Sequence, residues 1–305
     1  MNVVVEILSF HLYWLITVVV EVYYFIFRNR PRKSIKNENI VITGSASGMG
    51  KLLAERLALD GNTLHLVDIN EEANNLLTQE LKNTNCDVFT YTCDIANIEK
   101  VQKLKDEVEK NSAGSHISYL FNNAAVVVGK TFLQESSYEF SRGLNINVMG
   151  AVNMTKAFLP DMVTNYGHII NMGSVAGMVA GPQLSSYCTS KFAMTGFSRS
   201  LISEFIYLGI KNVKVTSVHP HFTNTGMFNG ASVKFDALFP MLEPDYVVDK
   251  VIIATKEEKQ MLILPKTIYM VLLLEQFMPV RVFESYLVLM GNDLMKTFKN
   301  IRHNN

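Results

Sequence analysis

From residue 37 to residue 265 the chain alternates short apolar runs with longer stretches of helical period. The apolar runs, rich in Val, Ile, Leu and aromatics, predict strands over 39–43, 63–68, 87–93, 117–122, 168–172, 213–218 and 261–264. Between them the apolar positions recur at three- and four-residue spacing and predict helices over 48–60, 71–82, 98–111, 138–164, 184–208 and 245–256. Strands alternating with helices imply βαβ units. Parallel strands with right-handed crossovers then give an α/β fold, a doubly wound parallel sheet with helices on both faces.

Two segments fall outside this alternation. Residues 3–27 are almost wholly apolar, which is long enough to span a bilayer. The basic cluster Arg28, Arg30, Arg32 and Lys33 follows the apolar run instead of preceding it, and no small-residue cleavage site is evident, so a signal peptide is not expected. The positive-inside rule places that flank, and the domain after it, in the cytosol. On a helical projection Glu6, Ser9, Tyr13, Thr17 and Glu21 share one stripe. Two arrangements accommodate it: a spanning helix that hides the stripe against a partner, or a helix lying in the membrane interface with the stripe facing out. A buried helix of the soluble domain is the third expectation. After Pro265 the chain is apolar again over 268–278 and 280–290, around Pro279. That pair is expected to be a packing lid or a second membrane contact. The division is therefore 1–36 as hydrophobic anchor and basic flank, 37–265 as the α/β domain, and 266–305 as a helical extension.

Composition narrows the function. Across 305 residues 48% are hydrophobic and the formal net charge is zero, so a core is easily supplied and the basic face that nucleic acid requires is missing. Cys86, Cys93 and Cys188 form neither a disulfide framework nor a zinc motif, which suits a reducing compartment. His219 and His221 lack an evident third ligand, so no metal is expected. The sequon at Asn153 lies in an apolar helical pattern and is read as chance.

The first strand leads into Thr43-Gly44-Ser45-Ala46-Ser47-Gly48-Met49-Gly50, followed by a helix. Glycines permit a tight turn and close backbone approach to a pyrophosphate, and a helix N-terminus offers unpaired N–H groups and a positive dipole end. In a βαβ series this is the dinucleotide site of a Rossmann-type domain. Asp68 closes the second strand. A carboxylate there can bond a ribose diol and repels a 2′-phosphate, and Ser47 and Ile69 bring no positive charge, so NAD is favoured over NADP. Asp68 as a mere cap of the next helix is the plainer alternative. Asp94 ends the third strand beside the expected adenine position. Asn122-Asn123-Ala124-Ala125 ends the fourth, where small residues admit the cofactor.

Tyr187 and Lys191 are four apart on one helix and share a face. Ser174 ends the fifth strand and Asn147 lies in the preceding helix. Oxidising an alcohol needs a base for the hydroxyl proton while hydride leaves carbon. Bringing a tyrosine from a pKa of about 10 to about 7 takes roughly 4 kcal/mol in favour of the phenolate. A cation at about 4 Å supplies that order at an effective dielectric of about 20. Lys191 is the candidate cation, Ser174 the group that holds the substrate oxygen, and Asn147 the anchor of a water leading from Lys191 to solvent.

Together these residues resemble the short-chain dehydrogenase/reductase family over about residues 38–265. The resemblance rests on the T-G-x-x-x-G-x-G turn, the N-N-A element, the Asn147/Ser174/Tyr187/Lys191 tetrad, and His219-Pro220 followed by Thr225. The N-terminal segment, residues 155–160 and residues 187–196 look closest to a membrane-associated branch, the epidermal-type retinol dehydrogenases and lipid-droplet hydroxysteroid 17-beta dehydrogenases. The resemblance implies catalysis by the tetrad. It implies cofactor binding by Gly44, Ser47, Gly48, Met49, Gly50, Asp68, Asp94, Asn122, Ala124, Tyr187, Lys191, Pro220 and Thr225. It further implies a lipophilic alcohol or carbonyl substrate, retinol/retinal or a hydroxysteroid, with membrane lipid as a partner. Location at the endoplasmic reticulum membrane or lipid droplet is implied too, as is a homodimer through helices 138–164 and 184–208.

Three positions depart from the family pattern: Ala125 for the usual Gly, His221 for the Gly that often follows the Pro, and Met49 for Ile or Leu. Ala125 and His221 motivate a competing expectation, a catalytically weak membrane or lipid-droplet scaffold that retains NAD binding. Gly226, Met227, Phe228, Phe235, Leu238, Phe239 and Met241 form an apolar stretch expected to overhang the active site and to suit a long hydrophobic substrate.

Overall fold

The computed structural model describes residues 3–27, 30–112, 114–228 and 239–291. The chain forms two compact units, residues 1–34 and 35–305. The first is a helix, α1 (Val3–Phe27), of which Val3–Tyr24 is long and apolar enough to cross a membrane. Side chains along it are exposed, Trp14 at 56% and Phe10 at 64%. The polar stripe is partly neutralised within this unit. Thr17 donates its hydroxyl to the Tyr13 carbonyl at 2.8 Å, and Glu21 pairs with Arg30, which also stacks over Tyr24.

The second unit carries seven strands: β1 (Asn39–Thr43), β2 (Thr63–Asp68), β3 (Asp87–Thr92), β4 (Tyr119–Asn122), β5 (Gly167–Met172), β6 (Val213–Pro220) and β7 (Met261–Leu264). They pair in parallel, in the order β3-β2-β1-β4-β5-β6-β7. The helices α2 (Gly48–Ala58), α3 (Glu71–Leu81), α4 (Ile98–Asn111), α5 (Ser137–Leu144), α6 (Ala151–Thr164), α7 (Ser185–Tyr207) and α8 (Pro244–Lys256) connect them. Every residue of β1 is buried, as expected of a central parallel strand covered on both faces. The two-residue strand period sends Ile40 and Ile42 into the layer with Leu53, Leu57 and Val251, and Val41 into the layer with Val101, Leu104 and Phe158. Strand order reverses between β1 and β4, so a crevice opens beyond their C-terminal ends, where Gly44 and the Asn122–Ala125 segment meet.

The structure corrects the single helix expected over 138–164. It is three pieces: α5, a π-helical turn (Asn145–Gly150) and α6. The widened turn inserts Asn147 toward the segment after β4, and Gly150 sits so close to Ile95 that a Cβ would meet it at 2.6 Å. α5 begins with a capping box in which Ser136 and Glu139 satisfy each other's backbone N–H.

The C-terminal extension forms α9 (Ile268–Phe277) and α10 (Val280–Gly291), separated at Pro279, and belongs to the same compact unit as the sheet. Ile268, Val271 and Phe283 are buried, whereas Met270, Leu273, Phe277 and Val280 are exposed. Residues 292–305, and 229–238 of the expected overhang with Phe235 and Leu238, lie outside the described residues.

Candidate active site

A cavity of about 710 Å³ runs along the C-terminal edge of the sheet. Its floor at one end is the turn after β1. Gly44 and Gly48 adopt φ of +67° and +57°, where side chains are strained. A Cβ on Gly44 would lie 2.8 Å from the Ala124 Cα, and one on Gly50 would lie 2.0 Å from the Gly44 carbonyl oxygen. Gly44, Ser47, Gly48 and Met49 line the cavity. Gly50 does not; its role is to let α2 close onto the turn, a correction to its expected cofactor contact.

Two residues not singled out from the sequence clamp this turn. The Thr43 hydroxyl donates to the Phe121 carbonyl and accepts from the backbone N–H groups of Asn123 and Ala124. The Asn123 amide donates to the carbonyls of Thr43 and Gly44. Their positions within the T-G and N-N-A motifs were the available signal. Asn122, expected at the cofactor, instead points into the core, donating to Thr155 and Asn171, and does not line the cavity. The adjacent Asn123, Ala124 and Ala125 do.

Asp68 lines the same end. Its carboxylate accepts from Ala46 N at 3.0 Å and Asn70 N at 2.9 Å, which ties the glycine turn to the end of β2. Capping of α3 falls to Asn70, whose side chain accepts from Ala73 N, so the helix-cap reading of Asp68 does not describe the structure. Its lining neighbours Ala46, Ser47, Ile69 and Asn70 carry no positive charge. Asp94 also lines the cavity, held by Ala96 N at 3.0 Å.

Ser174, Tyr187 and Lys191 line the other end with Pro220, whereas Thr225 lies against the glycine turn, 3.9 Å from where a Cβ on Gly48 would stand. Ser174 Oγ accepts from Ala176 N at 3.1 Å and faces the Pro220 carbonyl at 3.4 Å. Tyr187 is buried against Val127, Leu184 and Phe228. Burial pushes its phenol well above the ordinary tyrosine value, and a hydrogen bond with Ser174 pulls the other way. Lys191 is buried and lowered by desolvation to about 8. Its Nζ donates to the Met172 carbonyl at 2.7 Å and stands 5.5 Å from the Tyr187 ring centroid.

Asn147 is buried behind these groups and does not line the cavity. Its Nδ2 donates to the Val126 carbonyl and Ser190 Oγ, both at 2.9 Å, and its Oδ1 accepts from Val126 N at 2.7 Å. With both amide protons committed, its side chain holds the segment after β4 against α7. His219 is likewise committed: the Ser174 carbonyl, which only accepts, fixes the proton on Nδ1 at 3.2 Å, and Nε2 accepts from Ser217 at 2.7 Å. Burial holds this imidazole at about 4, so it is neutral at pH 7. The far wall of the cavity comes from the C-terminal extension, through Ile268, Val271, Tyr286 and Leu287. Nothing in the sequence motifs marked those four.

A parallel sheet in this order, a glycine turn shaped by close backbone approach, and a Ser/Tyr/Lys cluster at the opposite end of one cavity define a dinucleotide-dependent oxidoreductase site. The short chain dehydrogenase family matches residues 38–234, and the chain belongs to it. It is 38% identical over 267 residues to short-chain dehydrogenase/reductase family 16C member 6 of Bos taurus, covering 87% of this chain and 84% of the relative. It is 37% identical to epidermal retinol dehydrogenase 2 of Homo sapiens, covering 83% and 82%, and 33% identical to human 17-beta-hydroxysteroid dehydrogenase 13, covering 92% of each. Among solved structures, a short chain dehydrogenase/reductase from Burkholderia phymatum in complex with NAD superposes with a TM-score of 0.71 at 24% identity, covering 80% of this chain and 95% of that one.

Proposed function

We propose that this chain transfers a hydride between NAD(H) and a lipophilic alcohol or carbonyl, retinol/retinal or a hydroxysteroid. The carrying observation is that Asp68 with the glycine turn at one end, and Ser174, Tyr187 and Lys191 at the other, line a single cavity. The cavity floor formed by Gly44, Ser47 and Gly48 suits a pyrophosphate laid against backbone, and Asp68 without a cationic neighbour fits an unphosphorylated ribose. When bound, the nicotinamide accepts or gives the hydride and, oxidised, adds a positive charge to the site. Ser174 holds the substrate oxygen and Tyr187 takes or returns its proton. Lys191 favours the phenolate: its ammonium stands 5.5 Å from the Tyr187 ring centroid, and the roughly 4 kcal/mol that a tyrosine working at pH 7 requires is of the order that one cation at about 4 Å supplies at an effective dielectric of about 20. Burial opposes the phenolate, and the positive charge of an oxidised nicotinamide would add to that of Lys191.

The apolar wall built by Ile268, Val271 and Leu287 suits a long hydrophobic substrate. On the outside of the same two helices Met270, Leu273, Phe277 and Val280 are exposed, and we assign that face to membrane contact. The resemblance to the membrane-associated branch supports residence at the endoplasmic reticulum or lipid droplet with the catalytic unit in the cytosol, and pairing of copies through α5–α7 is carried over from the same resemblance. Retinol and hydroxysteroid relatives support the substrate class. The test is NADH formation by purified full-length protein in detergent, with NAD⁺ or NADP⁺ and a panel of retinoid, steroid and long-chain alcohols. Turnover with NAD⁺ that disappears in Tyr187→Phe is expected. Equal turnover in Tyr187→Phe, or none with any alcohol and either cofactor, would overturn the reading.

A further inference from the structure

Tyr187 is the third residue of α7, in the turn where a helix is least held by its own hydrogen bonds. Leu184, which opens this helix, has no side-chain oxygen to cap it. The turn is gripped from outside instead. Ser186, next to Tyr187 and buried, donates its hydroxyl to Oε1 of Glu135, in the loop between β4 and α5. Glu135 is fixed on both sides: its N–H donates to the Thr131 carbonyl at 3.0 Å, and the next residue, Ser136, caps α5. α5 closes on the same point, since a Cβ on Gly143 would stand 3.7 Å from the Ser186 Cβ. Among the described residues Ser186 is the only hydrogen-bond partner of the Glu135 carboxylate, whose Oε2 is buried without one. A buried carboxylate oxygen left unsatisfied costs stability, so folding alone does not account for an acid at this position. Such costs are tolerated where they serve a function.

We propose that Glu135 is a positioning residue for the reaction: by holding Ser186 it locks the first turn of α7 and fixes the Tyr187 hydroxyl relative to Ser174. The inference rests on the dehydrogenase reading above and deepens it. Glu135 does not line the cavity, so it acts through Ser186 and Tyr187 and not on the reactants. A carboxylate suits the place, because the N-terminal end of a helix favours negative charge. Proton transfer from an alcohol held by Ser174 needs the phenol oxygen within hydrogen-bond reach, and a displacement of about 1 Å costs up to about 10²-fold in rate. Lys191 lies one turn further along α7 and is anchored separately, by the Met172 carbonyl. Loosening the first turn therefore moves Tyr187 against a fixed Lys191 and leaves the distant glycine turn as it is.

The experiment compares full-length wild type in detergent with Glu135→Ala, Glu135→Gln, Ser186→Ala and the double variant Glu135→Ala/Ser186→Ala. NADH formation is followed with a long-chain alcohol that the wild type turns over, and backbone hydrogen exchange is followed without cofactor. Each alanine variant is expected to lower kcat by about tenfold while KM for NAD⁺ changes by less than about twofold. The double variant should lose no more than either single one, because both remove the same bond. Glu135→Gln keeps an acceptor for Ser186 and should recover most of the rate. Amides of residues 185–190 should exchange about tenfold faster in Glu135→Ala, with the sheet amides and the urea midpoint unchanged. Equal kcat in the wild type and both alanine variants, single losses that multiply in the double variant, or exchange that rises throughout the sheet overturns the proposal. A wild type that forms no NADH with any alcohol would count against the dehydrogenase reading. Exchange at 185–190 still reports on Glu135 in that case, and an unchanged rate in Glu135→Ala overturns its hold on the turn.

Discussion

Lys191 Nζ stands 5.5 Å from the Tyr187 ring centroid while donating to the Met172 carbonyl at 2.7 Å, so the cation acts on the tyrosine through space and is held by backbone. Alcohol oxidation needs Tyr187 as phenolate, so its kcat/KM should rise with pH, and carbonyl reduction should fall. Removing the cation in Lys191→Met should move both profiles upward by one pH unit or more. Tyr187→Phe should lower kcat by about 10²–10⁴ and flatten the pH dependence of the activity that remains. Rates from pH 6 to 10 in the two directions check this, and an unshifted Lys191→Met profile would remove Lys191 from the acid/base role.

Cofactor choice should follow Asp68. In Asp68→Ala the carboxylate that accepts from Ala46 and faces the cavity is lost, and with it the repulsion of a 2′-phosphate. The kcat/KM ratio of NAD⁺ to NADP⁺ is expected to fall by about tenfold or more, equivalent to about 1.4 kcal/mol. A ratio that stays put would show that discrimination lies elsewhere.

The glycine turn makes a stability prediction as well. A Cβ on Gly50 would sit 2.0 Å from the Gly44 carbonyl oxygen, whereas one on Gly196 meets nothing within 4 Å. Gly50→Ala should therefore destabilise by about 1–3 kcal/mol and abolish NAD⁺ binding. Gly196→Ala, in the interior of α7, should stabilise by about 0.5–1 kcal/mol. Urea unfolding and NAD⁺ titration of the two variants distinguish the positions.

Acid sensitivity should come from three histidines. Burial lowers His65, His219 and His221 to about 4 from an unfolded value of 6.5. Between those values the unfolded chain binds protons that the folded chain refuses, so stability is present above pH 6.5 and lost as pH falls toward 4. Replacing His65 by Gln should flatten the fall in urea midpoint between pH 7 and 4.5. An unchanged slope would assign the acid loss to carboxylates.

Membrane contact by the extension should show in substrate delivery. Leu273→Lys with Phe277→Glu places charge on the exposed face of α9, away from the buried Ile268 and Val271. Turnover of a long-chain alcohol dissolved in phospholipid vesicles is expected to fall severalfold, about 1 kcal/mol. Turnover of a short water-soluble alcohol should be unaffected. Equal loss on both substrates would indicate a folding defect.

The alternation of strand and helix patterns placed β1, β2 and β7 at their observed bounds, because buried parallel strands are continuous apolar runs. The Tyr187/Lys191 pair and the Gly44–Gly50 turn were equally legible, since each is a local spacing on one helix or one turn. Local patterning could not show the break at Asn145–Gly150, where propensity reads one helix and a contact from Asn147 to Val126, distant in sequence, widens the backbone. Nor could it separate Asn122 from Asn123. Neighbours on an extended chain point to opposite sides, and only the packing of β4 between β1 and β5 sends the first to Thr155 and the second to the glycine turn. The distance from Lys191 to Tyr187, the cavity wall from α9 and α10, and the hydrogen bond from Ser186 to Glu135 were likewise decided by tertiary structure. Each is set by elements far apart in the chain, whereas hydrophobic period and residue type report only on neighbours.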